Sequence, residues 1–295
     1  MTYWIGVITV TGIWMIAILG ISVLTGFTGL FSMGHAGFIA IGSYVCALVS
    51  KTFAAPMWIG IPCGMAGAIL VGVLIGIPTL KLKGDYFVIA TLGIGEIVKL
   101  LIENVPQITG GARGLTDIPR STTFPLVLII CVLCVVFVRF FLTSKHGRNG
   151  IAVREDEVAA RAIGINVARQ KLIGMAISCG LCGLSGGLLA HYMGYLYPTM
   201  FTMAKSNELI LTVILGGKGS LTGTILASLI LVPLPEFLRT EAAQEWRMVL
   251  YGVLVVFVII FRPSGFMGDR ELSIKGIFRF FKNRFGKKAE GGVGK

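Results

Sequence analysis

Long apolar runs recur from one end of this sequence almost to the other, and no other feature constrains the fold as tightly. The first, "YWIGVITVTGIWMIAILGISVL", covers residues 3–24 without a charged side chain. About 20 such residues cross the roughly 30 Å hydrocarbon core of a bilayer as an α-helix. Hydrocarbon offers no partner for a backbone N–H or C=O, so only a helix or a closed barrel can span it. Runs of this length favour the helix. The candidate spans are residues 3–24, 27–49, 57–80, 85–103, 123–142, 171–194, an ambiguous region at 206–235, and 247–262. The expected fold is therefore all-α: a polytopic membrane bundle of about eight spans, with broken or re-entrant segments. Residues 1–268 form one transmembrane domain, and residues 269–295 a basic tail that reads as disordered. The first run has no basic residue ahead of it and no small-residue cleavage pattern behind it, so it reads as a retained span rather than a signal peptide.

A net charge of +12 raises the question of nucleic acid. Much of the basic excess, however, sits at residues 145–171 and beyond Phe261, as short cytoplasmic loops require under the positive-inside rule. "KLKGD" at 81–85 joins them, and two spans separate it from the loop at 144–171. Counting back puts the N-terminus outside. For the tail to be cytoplasmic, residues 206–235 must make an even number of passes. "GGKGSLTG" breaks that region into two shorter legs, with Lys218 at a cytoplasmic turn. The forty glycines include GxxxG spacings at Gly60 and Gly64, Gly72 and Gly76, Gly183 and Gly187, and Gly219 and Gly223. Small residues so spaced let helices pack closely.

Little in the chain resembles an enzyme. It has no paired-carboxylate site, no nucleophile beside a base at motif spacing, and no G-x-x-x-x-G-K-[ST]. If the protein uses ATP, another chain must bind it, and no cofactor or metal is expected here. "CVLC" (131–134) and "CGLC" (179–182) fall inside apolar spans, where cysteine acts as a small hydrophobe. Charged residues within spans are functional candidates by default. Glu96 is one: it stands three residues before Lys99, so the two can neutralise each other on one helical face, or Glu96 can meet an ammonium group beside a solute path. His35, in the glycine-interrupted "GLFSMGHAGFIAIGSY", is either a satisfied core histidine or part of a broken helix aimed at a solute. Lys205 and Glu208 read as interfacial, snorkelling toward external water. The outer loop "TGGARGLTDIP" (109–119) is a turn-forming connector whose Arg113 and Asp117 offer a docking surface.

The most polar stretch is "AVREDEVAARAIGIN", residues 152–166. It reads as a short helix lying at the cytoplasmic face. Glu155, Asp156 and Glu157 crowd the first turn, where the helix dipole favours negative charge. Glu157 and Arg161 form an i,i+4 pair, and Gly164 supplies a C-terminal stop. Val158, Ala159, Ala162 and Ile163 make an apolar stripe. Alone, so short a helix is marginal in water, so it needs a surface to dock on: its own bundle or another protein.

"EVAARAIG" resembles the E-A-A-x-x-x-G loop of permease subunits in binding-protein-dependent ABC importers. Glu157, Ala159, Ala160 and Gly164 stand at the matching positions, with Val158 inserted. Together with "SMGHAGFIAIGSY", "GDYFVIATLGIGEI", "GGARGLTDIPR", "VILGGKGSLTGTILASLI" and "VLYGVLVVFVIIFRPSGFMG", the chain resembles the LivM-type permeases of branched-chain amino acid importers over nearly all of residues 20–268. The resemblance implies a multi-pass subunit of the bacterial inner membrane and a second, LivH-like permease as its partner. It also implies two cytoplasmic ATPase subunits that bind ATP and magnesium, and a periplasmic substrate-binding protein. Arg154, Glu155, Asp156, Glu157, Ala159, Ala160, Arg161 and Gly164 would then form the ATPase-coupling helix, with His35 and Glu96 along the path. Leucine, isoleucine and valine are the default substrates. Urea, short amides and other amino acids stay open, as does an ion-coupled secondary transporter, which would leave the cytoplasmic helix unexplained.

Overall fold

The computed structural model describes residues 2–82, 84–217, 219–237, 252, 253, 256, 265 and 266. The tail at 269–295, Lys218 and nearly all of the expected span at 247–262 lie outside the described residues. Among the described residues the fold is an all-α membrane bundle. Its helices are α1 (Thr2–Ile21), α2 (His35–Thr52), α3 (Met57–Thr79), α4 (Asp85–Asn104), α5 (Pro106–Thr109), α6 (Phe124–Thr143), α7 (Lys145–Glu155), α8 (Glu157–Ala162), α9 (Val167–Met193), α10 (Met203–Gly216), α11 (Leu221–Leu231) and α12 (Leu234–Phe237). Four segments are long and apolar enough to cross a bilayer unaided: Tyr3–Phe27, α3, α6 and α9.

The core is a glycine-lined packing of α2, α3 and α9. Gly42 of α2 backs directly onto Gly183 of α9, and a Cβ on Gly64 of α3 would lie 2.5 Å from the Gly42 carbonyl oxygen. Gly72 abuts Cys179, Gly76 abuts Met175, and Gly187 faces Cys46 and Ile61. Three of the four expected GxxxG pairs thus sit at helix crossings, where missing side chains let backbones approach. The fourth does not: Gly219 lies in a turn, and Gly223 packs instead on Gly216 of α10.

The basic side chains of Lys81, Lys145, Arg148, Arg154, Arg161, Arg169 and Lys171 gather at one end of the bundle, the end that the positive-inside rule assigns to the cytoplasm. The hairpin at 206–235 has the expected two legs. Between the legs, Gly219 lies beside Gly26, toward the basic end of the bundle. The hairpin's far end at Val232–Glu236 shares a cleft with Tyr3, Gly6 and Met193 on the outer side. Phe266 returns to the inner turn, donating its N–H to the Leu215 carbonyl at 2.7 Å.

Two expectations need correction. The span assigned to 27–49 begins at His35, because Thr28–Gly34 is not helical and α1 ends in a π-helical turn, Ser22–Phe27. And α10 does not start at the outer surface. The chain enters from outside through residues 194–202, and Ser206 in the second turn of α10 already meets the first turn of α2 inside the bundle. Lys205 and Glu208 accordingly lie within the membrane and not at its outer boundary, with the Lys205 ammonium 4.4 Å from the ring centre of Trp14.

Candidate functional site

Two features are candidates for functional chemistry: a helix pair at the basic end of the bundle, and a polar region at its middle.

The cytoplasmic helix expected over 154–163 is two helices, α7 and α8, broken at Asp156. Asp156 adopts an extended backbone and its carboxylate accepts from the N–H groups of Val158 at 2.7 Å and Ala159 at 3.0 Å. Such a cap contributes about 1 kcal/mol. Asp156 is therefore the cap rather than a first-turn residue. Glu155 ends α7 and takes Arg154 as its partner at 2.5 Å. At the other end Gly164 is left-handed, at φ +83°. Its N–H reaches the Arg161 carbonyl at 3.0 Å, and the Ile165 N–H reaches Ala160 at 3.0 Å. That is the paired closure of a Schellman motif, which requires φ > 0 and so favours glycine.

Ala160 alone turns inward, onto Val153, Val167 and Ile165. Val158, Ala159, Ala162 and Ile163 all face out, Val158 at 77 % and Ile163 at 75 % exposure. The apolar stripe is thus not used by the protein's own bundle. Glu157 holds α8 in place: it contacts the Lys171 ammonium on α9 and stands 3.6 Å from Arg161. A cleft of about 470 Å3 opens beside the pair, bordered by Leu30, Leu82, Phe87, Glu157, Val158 and Lys171. Arg154 links this helix pair to the membrane core. Its Nη1 donates to the Gly26 carbonyl at 2.6 Å, where the π-helical end of α1 gives way to the irregular segment. Nothing local pairs residues 26 and 154, so only the fold reveals this contact.

At mid-depth, α2 begins at Gly34–His35 with no capping side chain of its own. The Ser206 hydroxyl of α10 accepts from the Ala36 N–H at 2.8 Å, and Thr91 of α4 accepts from the Met33 N–H at 3.1 Å. Two other elements thus supply the partners that a buried helix start must have. His35 is fully buried, its Nδ1 2.9 Å from the Ser32 carbonyl and its Nε2 3.1 Å from the Ser178 hydroxyl. It pins α2 to α9 and borders no opening. Glu96 behaves differently. It lines a small cleft with Met33, Ala36, Phe201, Met203 and Ser206, and sits 3.5 Å from Lys99. The Lys205 ammonium meets both Glu208 oxygens at 3.0 Å. A charged side chain turned to lipid at this depth costs about 2.5–3.5 kcal/mol on insertion scales, so both pairs need cover.

On the outer face, the loop at 109–119 is tied down. Leu115 and Leu196 exchange backbone hydrogen bonds at 2.9 and 2.8 Å, and Lys51 reaches the Thr116 carbonyl at 3.1 Å. Arg113 and Asp117 remain exposed at its rim, Asp117 with a left-handed backbone at φ +62°. The six cysteines are free, five of them buried in helix packing. Among the described residues no cluster of His, Cys, Asp or Glu could hold a metal ion.

Comparison with known proteins agrees with this architecture. The profile of the family described as "Branched-chain amino acid transport system / permease component" matches residues 3–259. The chain is 34 % identical over 297 residues to the high-affinity branched-chain amino acid transport system permease protein LivM of Escherichia coli, covering 89 % of this chain and 69 % of that protein. It is 27 % identical over 265 residues to a probable branched-chain amino acid transport permease protein LivM of Methanocaldococcus jannaschii, covering 80 % and 77 %. The LivH permease of Escherichia coli matches at 24 % over 298 residues, 90 % of this chain and 94 % of that one. No solved structure matches. A bundle of apolar helices with a capped cytoplasmic helix pair, matched from residue 3 to 259, belongs to the permease component family of branched-chain amino acid transport systems.

Proposed function

We propose that this chain is the membrane-spanning permease subunit of an ABC importer that carries leucine, isoleucine and valine across the bacterial inner membrane. The chain holds no nucleotide or other cofactor; ATP and magnesium are bound by two cytoplasmic ATPase subunits. A LivH-like permease completes the membrane part, and a periplasmic binding protein delivers substrate to the outer face, where Arg113 and Asp117 form part of its landing surface.

One observation carries this reading: α8 is fastened at both ends yet turns its apolar residues outward. Asp156, Gly164 and the Glu157–Lys171 contact fix the helix, while Val158, Ala159, Ala162 and Ile163 stand exposed among the described residues. An apolar helix face on the polar side of a membrane protein marks a protein contact. Seated in an ATPase groove, α8 passes nucleotide-driven movement to α9 through Lys171 and to the end of α1 through Arg154. A coupling element of this kind needs two packings it can switch between.

The test is Val158→Asp in the complete transport system. Leucine uptake is expected to fall by about tenfold or more, since a carboxylate placed in an apolar contact costs upward of about 1.4 kcal/mol. The amount of permease in the membrane should not change, because Val158 is 77 % exposed and lies outside the packed core. Normal uptake in this variant sinks the proposed ATPase contact.

A further inference from the structure

The two ion pairs at mid-depth lie on neighbouring elements and stay partly open. Glu96 and Lys99 keep 37 % and 21 % side-chain exposure, Lys205 and Glu208 21 % and 27 %. Glu96 sits near the middle of α4, and Ser206, between Lys205 and Glu208, caps the start of α2 inside the bundle. The cleft between them has room for about one water molecule. The flank of α4 turned away from Lys99 shows what a lipid-facing surface looks like in this protein: Ile97 and Leu101 are both more than half exposed, and both are apolar. The face bearing the two pairs breaks that pattern at the depth where charge is least tolerated, so it faces water or another polar surface.

The charges on this face sum to zero, with both signs presented. The 3.5 Å separation of Glu96 from Lys99 leaves the carboxylate acceptor capacity to spare. A solute carrying an ammonium and a carboxylate together can lie against such a surface and find a partner for each, whereas a solute of single charge satisfies only one. The geometry points to the face formed by α4 around Leu92–Lys99 and the first two turns of α10 as this chain's wall of the solute path, matched by its paired charges to zwitterions. This assignment rests on the importer reading above and adds the location of the path and the side chains that would meet the two charges of the solute.

Met203 lines the same cleft as Glu96 and is 40 % exposed. The experiment places a cysteine there, Met203→Cys, in the intact transport system, and measures its reaction with cationic and anionic methanethiosulfonate reagents. The parent protein, with its mostly buried cysteines, serves as the background. The substituted thiol is expected to react well above that background, and more slowly when leucine is being transported. Adding Glu96→Gln should raise the anionic-to-cationic rate ratio about three- to tenfold, and adding Lys99→Gln should lower it by a similar factor. An unreactive thiol at 203 in cells whose parent system takes up leucine overturns the path assignment. A reactive thiol whose rate ratio ignores both neutralisations overturns the role of the ion pairs. Absence of leucine uptake by the parent system strikes instead at the importer reading.

Discussion

Helices α6 and α9 meet the same sequence criteria for a membrane span, yet they do opposite jobs. In α9, 72 % of the most apolar stretch is buried inside the protein; in α6 the figure is 28 %. The more apolar of the two is α6, with Leu133 and Phe137 at 61 % and 51 % exposure. By contrast α9 is rich in glycine and serine, and its Ser178, Ser185 and Gly186 touch His35, Ile13 and the Ile39–Ser43 stretch. In hydrocarbon, apolar side chains gain nothing by leaving lipid for protein, so packing falls to small residues and short hydrogen bonds. Hydrophobicity alone does not set burial here, since the charge-free Tyr3–Phe27 segment is also 72 % buried; the small and polar residues of α9 are what mark it as core.

The sharpest way to break this contrast is Gly186→Val. Its Cβ would overlap the Ile39 carbonyl and crowd the Ser43 hydroxyl, and neither helix can give way without losing Gly42 against Gly183. Overpacking of this kind costs about 3 kcal/mol or more, so the variant should be nearly absent from the membrane fraction on immunoblotting. A normal amount would mean that the core is looser than described.

A middle-sized effect is expected where no packing is at stake. Nothing lies within 4 Å of a Cβ on Gly164, so Gly164→Ala suffers only from its left-handed backbone, about 1–2 kcal/mol. Because α8 is short, that loss should loosen its seat, leaving permease levels intact while ATP hydrolysis proceeds with reduced uptake. Hydrolysis and uptake measured together in proteoliposomes decide it, and an unchanged ratio removes Gly164 from the coupling element. The smallest effect belongs to α6: Leu133→Ala and Phe137→Ala should each alter thermal stability in detergent by less than about 0.5 kcal/mol. A large loss at either would show that α6 is covered by a protein surface.

The comparison also explains what could be read in advance. Apolar runs located α1, α3, α4, α6 and α9, and "GGKGSLTG" located the hairpin turn, because both signals are local. The seat of α8 was half legible: Gly164 announced the stop, but the break at Asp156 and the outward turn of Val158 and Ile163 depend on α7 and α9 beneath. The depth of Lys205 and Glu208 was not legible at all. It is set by residues 194–202 dipping inward past Tyr44, whose hydroxyl donates to the Leu196 carbonyl and whose ring meets Phe201, contacts between segments distant in sequence. Arg154 on Gly26 was hidden for the same reason.

The hairpin of α10 and α11 carries a consequence for biosynthesis. Its first leg, α10, has 14 residues and reaches about 21 Å at 1.5 Å per residue, and its second, Leu221–Glu236, reaches about 24 Å, each short of a bilayer's roughly 30 Å. Neither leg can be released into lipid as a finished span while the ribosome is still adding the next. Their insertion therefore leans on a partner already in place, and α1, made before them, is the helix on which both legs rest. The order of synthesis therefore matters to this fold in a way that a bundle of full-length spans would escape.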